Sequence, residues 1–211
     1  MSQQKENGQP AARSYSGRLL RVDLTRRTLA VEALDDLLYR RYLGGWGFLG
    51  HTLLREVPPG ADPLGPANRL VFATGVLTGL PASGLARHAV GAKSPLTGGF
   101  GGSEVGGFWG AELKRAGFDA LIIQGQADRP VYLWIHDGEA ELRDARHLWG
   151  RTTNDVQTAL ENELGDKRVE VLQCGPAGEN GVLFAAMINM SNRANGRTGM
   201  GAVMASKNLK A

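Results

Sequence analysis

Glycine is concentrated in one stretch of the chain, and this limits what that stretch can fold into. Thirteen of the 30 glycines lie between Gly75 and Gly125, and a second group follows at Gly196, Gly199 and Gly201. Glycine weakens helices and strands, so such a concentration is expected where the backbone needs a positive φ or must approach something closely. The sequence therefore predicts two glycine-rich loops that lie against a ligand or against another part of the protein.

Three interpretations of these glycines stay open from the residues alone: a site for a phosphate-bearing cofactor, tight structural packing, or a subunit interface. A helix predicted to begin at Phe108 follows the first loop, and backbone amides at a helix start bind phosphate. Arg87 and Lys93 frame this loop, whereas Arg193 and Arg197 lie in the second, and guanidinium groups hold anions by paired hydrogen bonds. Neither loop has the spacing of a Walker P-loop or of a dinucleotide fingerprint.

Length and composition predict one globular domain behind a polar leader. The chain has 211 residues, of which 42% are hydrophobic and 21% charged, with a net charge of +3. These values allow a sizeable core and do not suggest disorder or a nucleic-acid partner. No long apolar run predicts a membrane span. Residues 1–16 are polar and lack the apolar core of a signal peptide, so we expect a flexible leader, a domain over residues 17–211 and a cytoplasmic location.

The order of the predicted elements favours an α+β fold. Alternating polar and apolar residues predict a hairpin over residues 18–34, and an amphipathic pattern predicts a helix over residues 153–164. Strands come in hairpins with helices between them, not in regular βαβ units. Residues 110–120 and 201–211 share three identities in eleven positions, a weak indication of two related halves.

Single side chains offer little further chemistry. Cys174 is the one cysteine, so this chain by itself forms no disulfide and cannot supply the ligands of an iron–sulfur cluster. It is expected to be a buried, inert thiol, and His88 is expected to have a structural or supporting role. Glu104 would repel an anion in its loop, so it is either a surface residue or an acceptor for N–H groups of a ligand.

Six segments in order along the chain resemble the N-terminal domain of the aldehyde ferredoxin oxidoreductases. They are YLGG at 42–45, KSPLTG at 93–98, GGFWGAELK at 106–114, GFDA at 117–120, GPAGEN at 175–180 and GMGAVMASKNLKA at 199–211. The resemblance covers nearly the whole chain from about residue 17 to residue 211. It implies an α+β base of two related β-sheet halves with interspersed helices, on which a tungsten (or molybdenum) bis-pterin cofactor lies.

Cofactor contacts can be assigned by the resemblance only where the motifs match. It implies no catalytic residue and no metal ligand in this chain, and it implies pterin or phosphate contacts at Arg87, Glu104, Gly106, Arg193, Ala194, Gly196 and Arg197. Two positions depart from the family pattern: Glu104 stands where the archetypal aldehyde enzymes have asparagine, and Trp46 where they have arginine. These departures indicate a divergent branch, such as the one that acts on aromatic acyl-CoA thioesters.

The resemblance also implies chemistry that this chain does not carry. In the family, the 4Fe–4S cluster and the residues near the tungsten belong to helical domains that follow this one, and ferredoxin or an iron–sulfur subunit accepts the electrons. The complete enzyme would oxidise aldehydes to carboxylic acids. This chain is then expected to be one domain of a longer protein or a separate subunit completed by a partner. The alternative is a non-catalytic truncated or assembly module of the same fold.

Overall fold

The computed structural model describes residues 14–211, so most of the predicted leader lies outside the described residues. The last two residues of that leader pack against the domain. The Tyr15 ring stacks on Tyr39 with 4.0 Å between centroids, and the Ser16 hydroxyl donates to the carboxylate of Asp119 at 2.8 Å. The packed part of the chain therefore includes the residues just before Gly17.

Within the described residues the chain forms strands and short helices in a mixed order. The strands are β1 Arg18–Asp23, β2 Thr28–Ala33, β3 Leu70–Thr74, β4 His88–Lys93, β5 Phe100–Val105, β6 Ala120–Gln124, β7 Val131–His136, β8 Glu139–Asp144, β9 Leu172–Cys174, β10 Met187–Asn189 and β11 Arg193–Asn195. The helices are α1 Asp36–Tyr42, α2 Gly45–Glu56, α3 Trp109–Arg115, α4 Thr153–Leu164, α5 Pro176–Glu179 and α6 Met200–Ser206. The predicted hairpin is β1–β2, and α4 has the predicted bounds. None of these helices has the length and apolar character of a membrane span.

Six strands form the first sheet, in the order β2-β1-β6-β3-β4-β5. Strand β6 runs parallel to β1 and antiparallel to β3. Its sequence is apolar from Ala120 to Ile123, and these four residues are at most 2% exposed. A strand that is apolar on both faces can be satisfied only at the centre of a covered sheet. This explains why the chain returns to place β6 between β1 and β3.

The second half of the chain repeats this arrangement. Strands β9, β10 and β11 form one sheet and β7–β8 a hairpin. Residues 209–211 join the two, because Lys210 N donates to Val131 O at 2.8 Å while Cys174 N donates to Lys210 O at 3.1 Å. The resulting order is β8, β7, residues 209–211, β9, β10, β11, which is the order of the first sheet.

The hydrogen bonds confirm that the weak sequence repeat is structural. In the first half Asp119 N donates to Arg18 O at 2.9 Å, as Lys210 N does to Val131 O in the second. The helix before each of these residues is α3 in one half and α6 in the other. The predicted α+β fold with two related halves is therefore confirmed, although only three of eleven residues are shared by the repeated segments.

Three apolar clusters hold the two halves and their helices together. The largest contains inward-facing residues of both halves, among them Phe72, Phe118 and Met187. A second cluster joins the outer face of the first sheet to α2 through Leu49. The third joins the second half to α4 through Leu160. Each sheet is thus covered on both faces, and the edge strands β5 and β11 are left to shape a surface.

The two predicted glycine-rich loops are in part regular structure, which corrects the sequence interpretation. Residues 100–105 form β5, paired along its length with β4. The predicted glycine-rich terminus contains β11 and α6. Glycine disfavours strands in general, but close packing on both sides of β5 requires it here.

Candidate functional site

The two glycine-rich segments meet where the edge strands of the two halves pack together. Asn195 of β11 donates from its amide to Ser103 O of β5 at 3.3 Å. The Thr198 hydroxyl donates to Gly102 O at 3.2 Å, and the Ser94 hydroxyl donates to Thr198 O at 2.8 Å. Asn195 and Thr198 therefore hold the middle of β5, and Ser94 in turn holds Thr198. The sequence predicts two loops around one site, and the structure brings these segments together.

At several glycines, the space that a side chain would take is occupied by other side chains of the protein. A Cβ on Gly102 would lie 2.3 Å from the indole ring of Trp46, and one on Gly101 would lie 2.8 Å from Ser94 Cβ. At Gly107, where φ is +110°, a Cβ would lie 2.4 Å from the amide oxygen of Asn189. The structural-packing interpretation therefore accounts for these three positions.

At other glycines the space that a side chain would take is empty. Nothing lies within 4 Å of a Cβ built on Gly106, and at Gly196 the nearest atom is Ala194 Cβ at 3.8 Å. Arg193 and Arg197, which flank Gly196, are exposed. Among residues 14–211 neither guanidinium forms an ion pair. Empty space over a glycine backbone, next to exposed guanidinium groups, leaves room for an anion to approach both.

Arg87, Glu104 and Trp46 form a cluster at the other side of β5. Arg87 Nε lies 3.4 Å from Glu104 Oε1, with side chains 53% and 40% exposed. Trp46 Nε1 donates to Glu104 Oε2 at 3.4 Å. All three line an open pocket of about 270 Å³ with mainly apolar walls. Glu104 thus has partners of its own in the protein and retains exposed oxygen surface toward the pocket.

The two positions that depart from the family pattern are in contact with each other. Trp46 packs its ring on Gly102 and donates its N–H to Glu104 at 3.4 Å. In this chain an indole and a carboxylate replace the arginine and asparagine that the resemblance implies. The pocket is therefore more apolar and more acidic at this corner than the family pattern predicts.

Lys93 does not join this site, although its position in the sequence predicts that it frames the first loop. Its ammonium donates to Ala61 O at 2.6 Å. The backbone N–H of Lys93 donates to the side chain of Asn68 at 3.0 Å. These bonds direct the lysine away from β5 and toward the loop between α2 and β3.

Two buried amides, Asn189 and Asn195, escape sequence reasoning. Both are fully buried, and their N–H groups donate to Gly106 O and Ser103 O at 3.4 and 3.3 Å. They hold the backbone on either side of Glu104. They lie at opposite ends of the β10–β11 hairpin. Their role cannot be predicted from sequence without knowing that this hairpin faces β5.

His88 and Cys174 are both buried, which confirms the burial predicted for the Cys174 thiol. His88 is 2% exposed, lies 4.7 Å from the Trp109 ring, and has its pKa lowered to about 3 by burial. Neither of its ring nitrogens has a hydrogen-bond partner within the described chain. Burial likewise raises the pKa of the Cys174 thiol to about 12. A neutral imidazole and a protonated thiol are poor candidates for acid–base or nucleophilic chemistry.

The donor set can be compared with the cofactor implied by the resemblance. Within residues 14–211 no group of three or more His, Cys, Asp or Glu side chains is arranged to hold a metal ion. Guanidinium groups, open backbone at Gly106 and Gly196 and one acceptor carboxylate fit a ring system with N–H donors and phosphate groups. The residues present therefore fit the organic part of a metallopterin.

Comparison with known proteins gives a consistent assignment. Residues 19–211 match the family model "Aldehyde ferredoxin oxidoreductase, N-terminal domain". The tungsten-containing aldehyde ferredoxin oxidoreductase of Pyrococcus abyssi is 51% identical over 93% of this chain and 32% of its own length. In Pyrococcus furiosus, the WOR-like subunit of an aliphatic sulfonate oxidoreductase is 37% identical over 94% of this chain and 34% of its own.

A solved structure shares the fold. The active-site complex BamBC of benzoyl-coenzyme A reductase, in complex with 1,5-dienoyl-CoA, has a TM-score of 0.91 and 39% identity over 94% of this chain and 30% of its own. The chain spans about a third of the length of the curated relatives it matches. The order of the six motifs, the repeated sheet and these matches agree: the chain belongs to the aldehyde ferredoxin oxidoreductase family and corresponds to its N-terminal domain.

Proposed function

We propose that this chain is the metallopterin-binding part of a tungsten-dependent oxidoreductase that converts aldehydes to carboxylic acids, with ferredoxin as electron acceptor. The observation that carries the proposal is the surface formed by β5 and β11, where exposed arginines without an ion pair among residues 14–211 lie beside glycines with empty space over them. The 51% identity to an aldehyde ferredoxin oxidoreductase supports it. A cytoplasmic location is part of the same proposal.

The residues of this chain would bind and orient the cofactor. Arg193 and Arg197 would hold phosphate groups, with the backbone at Ala194, Gly196 and Gly106 close enough to add hydrogen bonds. Arg87 would bind a pterin or phosphate acceptor beside them. Glu104 would accept from pterin N–H groups, since a carboxylate oxygen can take more than one hydrogen bond. The fixed strand pair would keep these groups at constant spacing.

When bound, a tungsten–pterin group supplies two-electron redox chemistry at the metal. Oxidation of an aldehyde with water to a carboxylic acid releases two electrons and two protons. We assign no acid or base for these protons to this chain, because the exposed groups at the site are arginines and one paired carboxylate. The cluster ligands would come from other domains or from a partner iron–sulfur subunit.

A second candidate is an enzyme of the branch that acts on aromatic acyl-CoA thioesters. The likeness to the benzoyl-coenzyme A reductase complex favours it. The Trp46–Glu104 pair also favours a site that differs from the aldehyde enzymes. The higher identity to aldehyde ferredoxin oxidoreductases favours the first proposal.

The test is anaerobic purification of the native protein with whatever it assembles with, followed by tungsten, molybdenum and pterin analysis. Aldehyde-dependent and aromatic acyl-CoA-dependent viologen assays then separate the two candidates. Absence of metal and pterin from the assembled protein would favour the non-catalytic module and overturn both.

The site assignment has its own control. Arg193→Ala should lower pterin content per protein, whereas Arg146→Ala, which removes an exposed arginine paired with Asp144, should leave it unchanged. Equal pterin content in the two variants would refute the assignment of Arg193.

A further inference from the structure

The loop between β3 and β4, residues 75–87, ends at Arg87 and forms one wall of the open pocket of about 270 Å³. Leu77 and Thr78 of this loop line the pocket together with Arg87. The pairing of β4 with β5 begins at His88, so Arg87 lies just outside the ladder. The direction of the Arg87 side chain therefore depends on how the loop itself is held.

The side chain of Thr78 joins the two ends of this loop. Its hydroxyl donates to Arg87 O at 2.9 Å and accepts from Gly75 N at 2.9 Å. Thr78 is only 7% exposed, and polar groups shielded from water are costly to leave without their hydrogen bonds. One hydroxyl thus ties the backbone of Arg87 to the residue that directly follows β3.

Lys114 of α3 anchors the start of the same loop. Its ammonium donates to Gly75 O at 2.8 Å and to Val76 O at 3.0 Å. A third bond goes to Ser14 O at 2.8 Å. An ammonium has three N–H donors, and here all three are used by backbone oxygens. The first turn of the loop is therefore fixed to α3 and gives the hydroxyl described above a firm base.

We propose that Thr78 is a positioning residue, whose hydroxyl holds the backbone of Arg87 so that the guanidinium lies beside Glu104 at the pocket. Arg87 Nε is 3.4 Å from Glu104 Oε1. The inference rests on the proposed function, which assigns Arg87 to a pterin or phosphate acceptor. The Thr78 hydroxyl is used within the loop and would act on the ligand only through Arg87. Misplacement of a binding group by about 1 Å is enough to weaken its interaction.

The test compares variants of the native protein, each purified anaerobically with what it assembles with. Thr78→Val removes the hydroxyl and keeps the side-chain shape, whereas Thr78→Ser keeps the hydroxyl. Thr25→Val is the matched control, because the Thr25 hydroxyl also joins two backbone groups: it donates to Gln126 O at 3.2 Å and accepts from Gln126 N at 2.9 Å. The strand register places this turn at the end of the first sheet opposite to Arg87.

Thr78→Val should lower the pterin content per protein at least about twofold, toward the value of Arg87→Ala. Thr78→Ser and Thr25→Val should stay near the unmodified protein. In an Arg87→Ala background, Thr78→Val should lower the pterin content no further, because the group that it positions is already gone. Hydrogen exchange at the Gly75 amide should be faster in Thr78→Val with or without pterin, since that amide loses its acceptor.

Three results would overturn the inference while the proposed function stands. The first is unchanged pterin content in Thr78→Val although Arg87→Ala lowers it. The second is the same fractional loss from Thr78→Val with and without Arg87, because the effect would then be one of general stability. The third is a loss in Thr78→Ser as large as in Thr78→Val. Absence of pterin from the unmodified assembled protein would instead overturn the proposed function, and this inference with it.

Discussion

Lys210 and Glu179 form a buried ion pair, and breaking it should strongly destabilise the folded protein. The side chains are 0% and 4% exposed, respectively. The ammonium also donates to Cys174 O at 3.0 Å, and the carboxylate accepts from Gly150 N at 2.7 Å. Through these bonds the pair connects α5, β9 and residues 209–211. The perturbation is Glu179→Gln, which removes the negative charge and keeps the side-chain size.

The expected loss in the free energy of unfolding follows from the burial of the ion pair. An exposed ion pair contributes about 0–1 kcal/mol, whereas removing one partner of a buried pair costs about 3–5 kcal/mol because a charge is left without its counter-ion. Total stability of a domain is about 5–15 kcal/mol, so the variant should be marginal. For a chain of this length, this corresponds to a fall in Tm of about 6–20 °C.

Urea unfolding followed by circular dichroism measures this effect. The surface control is Asp166→Asn, which removes a carboxylate paired with the 90% exposed side chain of Arg168 and should cost less than about 1 kcal/mol. The double variant Glu179→Gln with Lys210→Met should recover part of the loss, since no charge is left buried. A loss below about 1 kcal/mol in Glu179→Gln at unchanged m, or no recovery in the double variant, would refute the reasoning.

Three further predictions concern burial at other positions. Cys174 should not react with a thiol reagent in the folded protein and should react fully in denaturant; rapid labelling without unfolding would contradict its raised pKa. Gly102→Ala should displace the Trp46 ring, 2.3 Å from the new Cβ, costing about 1–3 kcal/mol and shifting tryptophan emission; unchanged emission and stability would count against it. His88 has a folded pKa of about 3 against 6.5 unfolded, so stability should fall by about 2 kcal/mol between pH 6.5 and pH 5 as the unfolded state gains the proton. His88→Phe should reduce this slope, and an identical slope in the variant would show that another group titrates.

Local sequence patterns are sufficient to predict the helices and strands that bury one regular face. The β1–β2 hairpin follows from alternation, and α4 follows from its apolar side, its Thr152 cap and the stop at Gly165. Strand β5 cannot be predicted in this way. Its sequence contains two glycines, which disfavour a strand, and the reason for them is the ring of Trp46 and the side chain of Ser94 on its two faces.

The candidate site likewise has features that the sequence predicts and features that only the structure shows. Motif resemblance predicts that Arg87, Glu104 and the residues around Gly196 belong to one site. It does not show that Trp46 contacts Glu104 or that Lys93 points away toward Ala61. Those facts depend on which strands lie side by side, and short-range sequence spacing carries no information about that.

Residue identity and local order were enough to establish the family, the α+β class and the limit set by a single cysteine. The use of the glycines, in contrast, depends on packing between segments that are far apart in the chain. In the folded protein, other side chains occupy the space beside the glycines at 101, 102 and 107, whereas the space beside those at 106 and 196 is empty. Folding also produces two matching sheets from a repeat of three identities, since a fold can preserve its hydrogen bonds after its side chains have diverged.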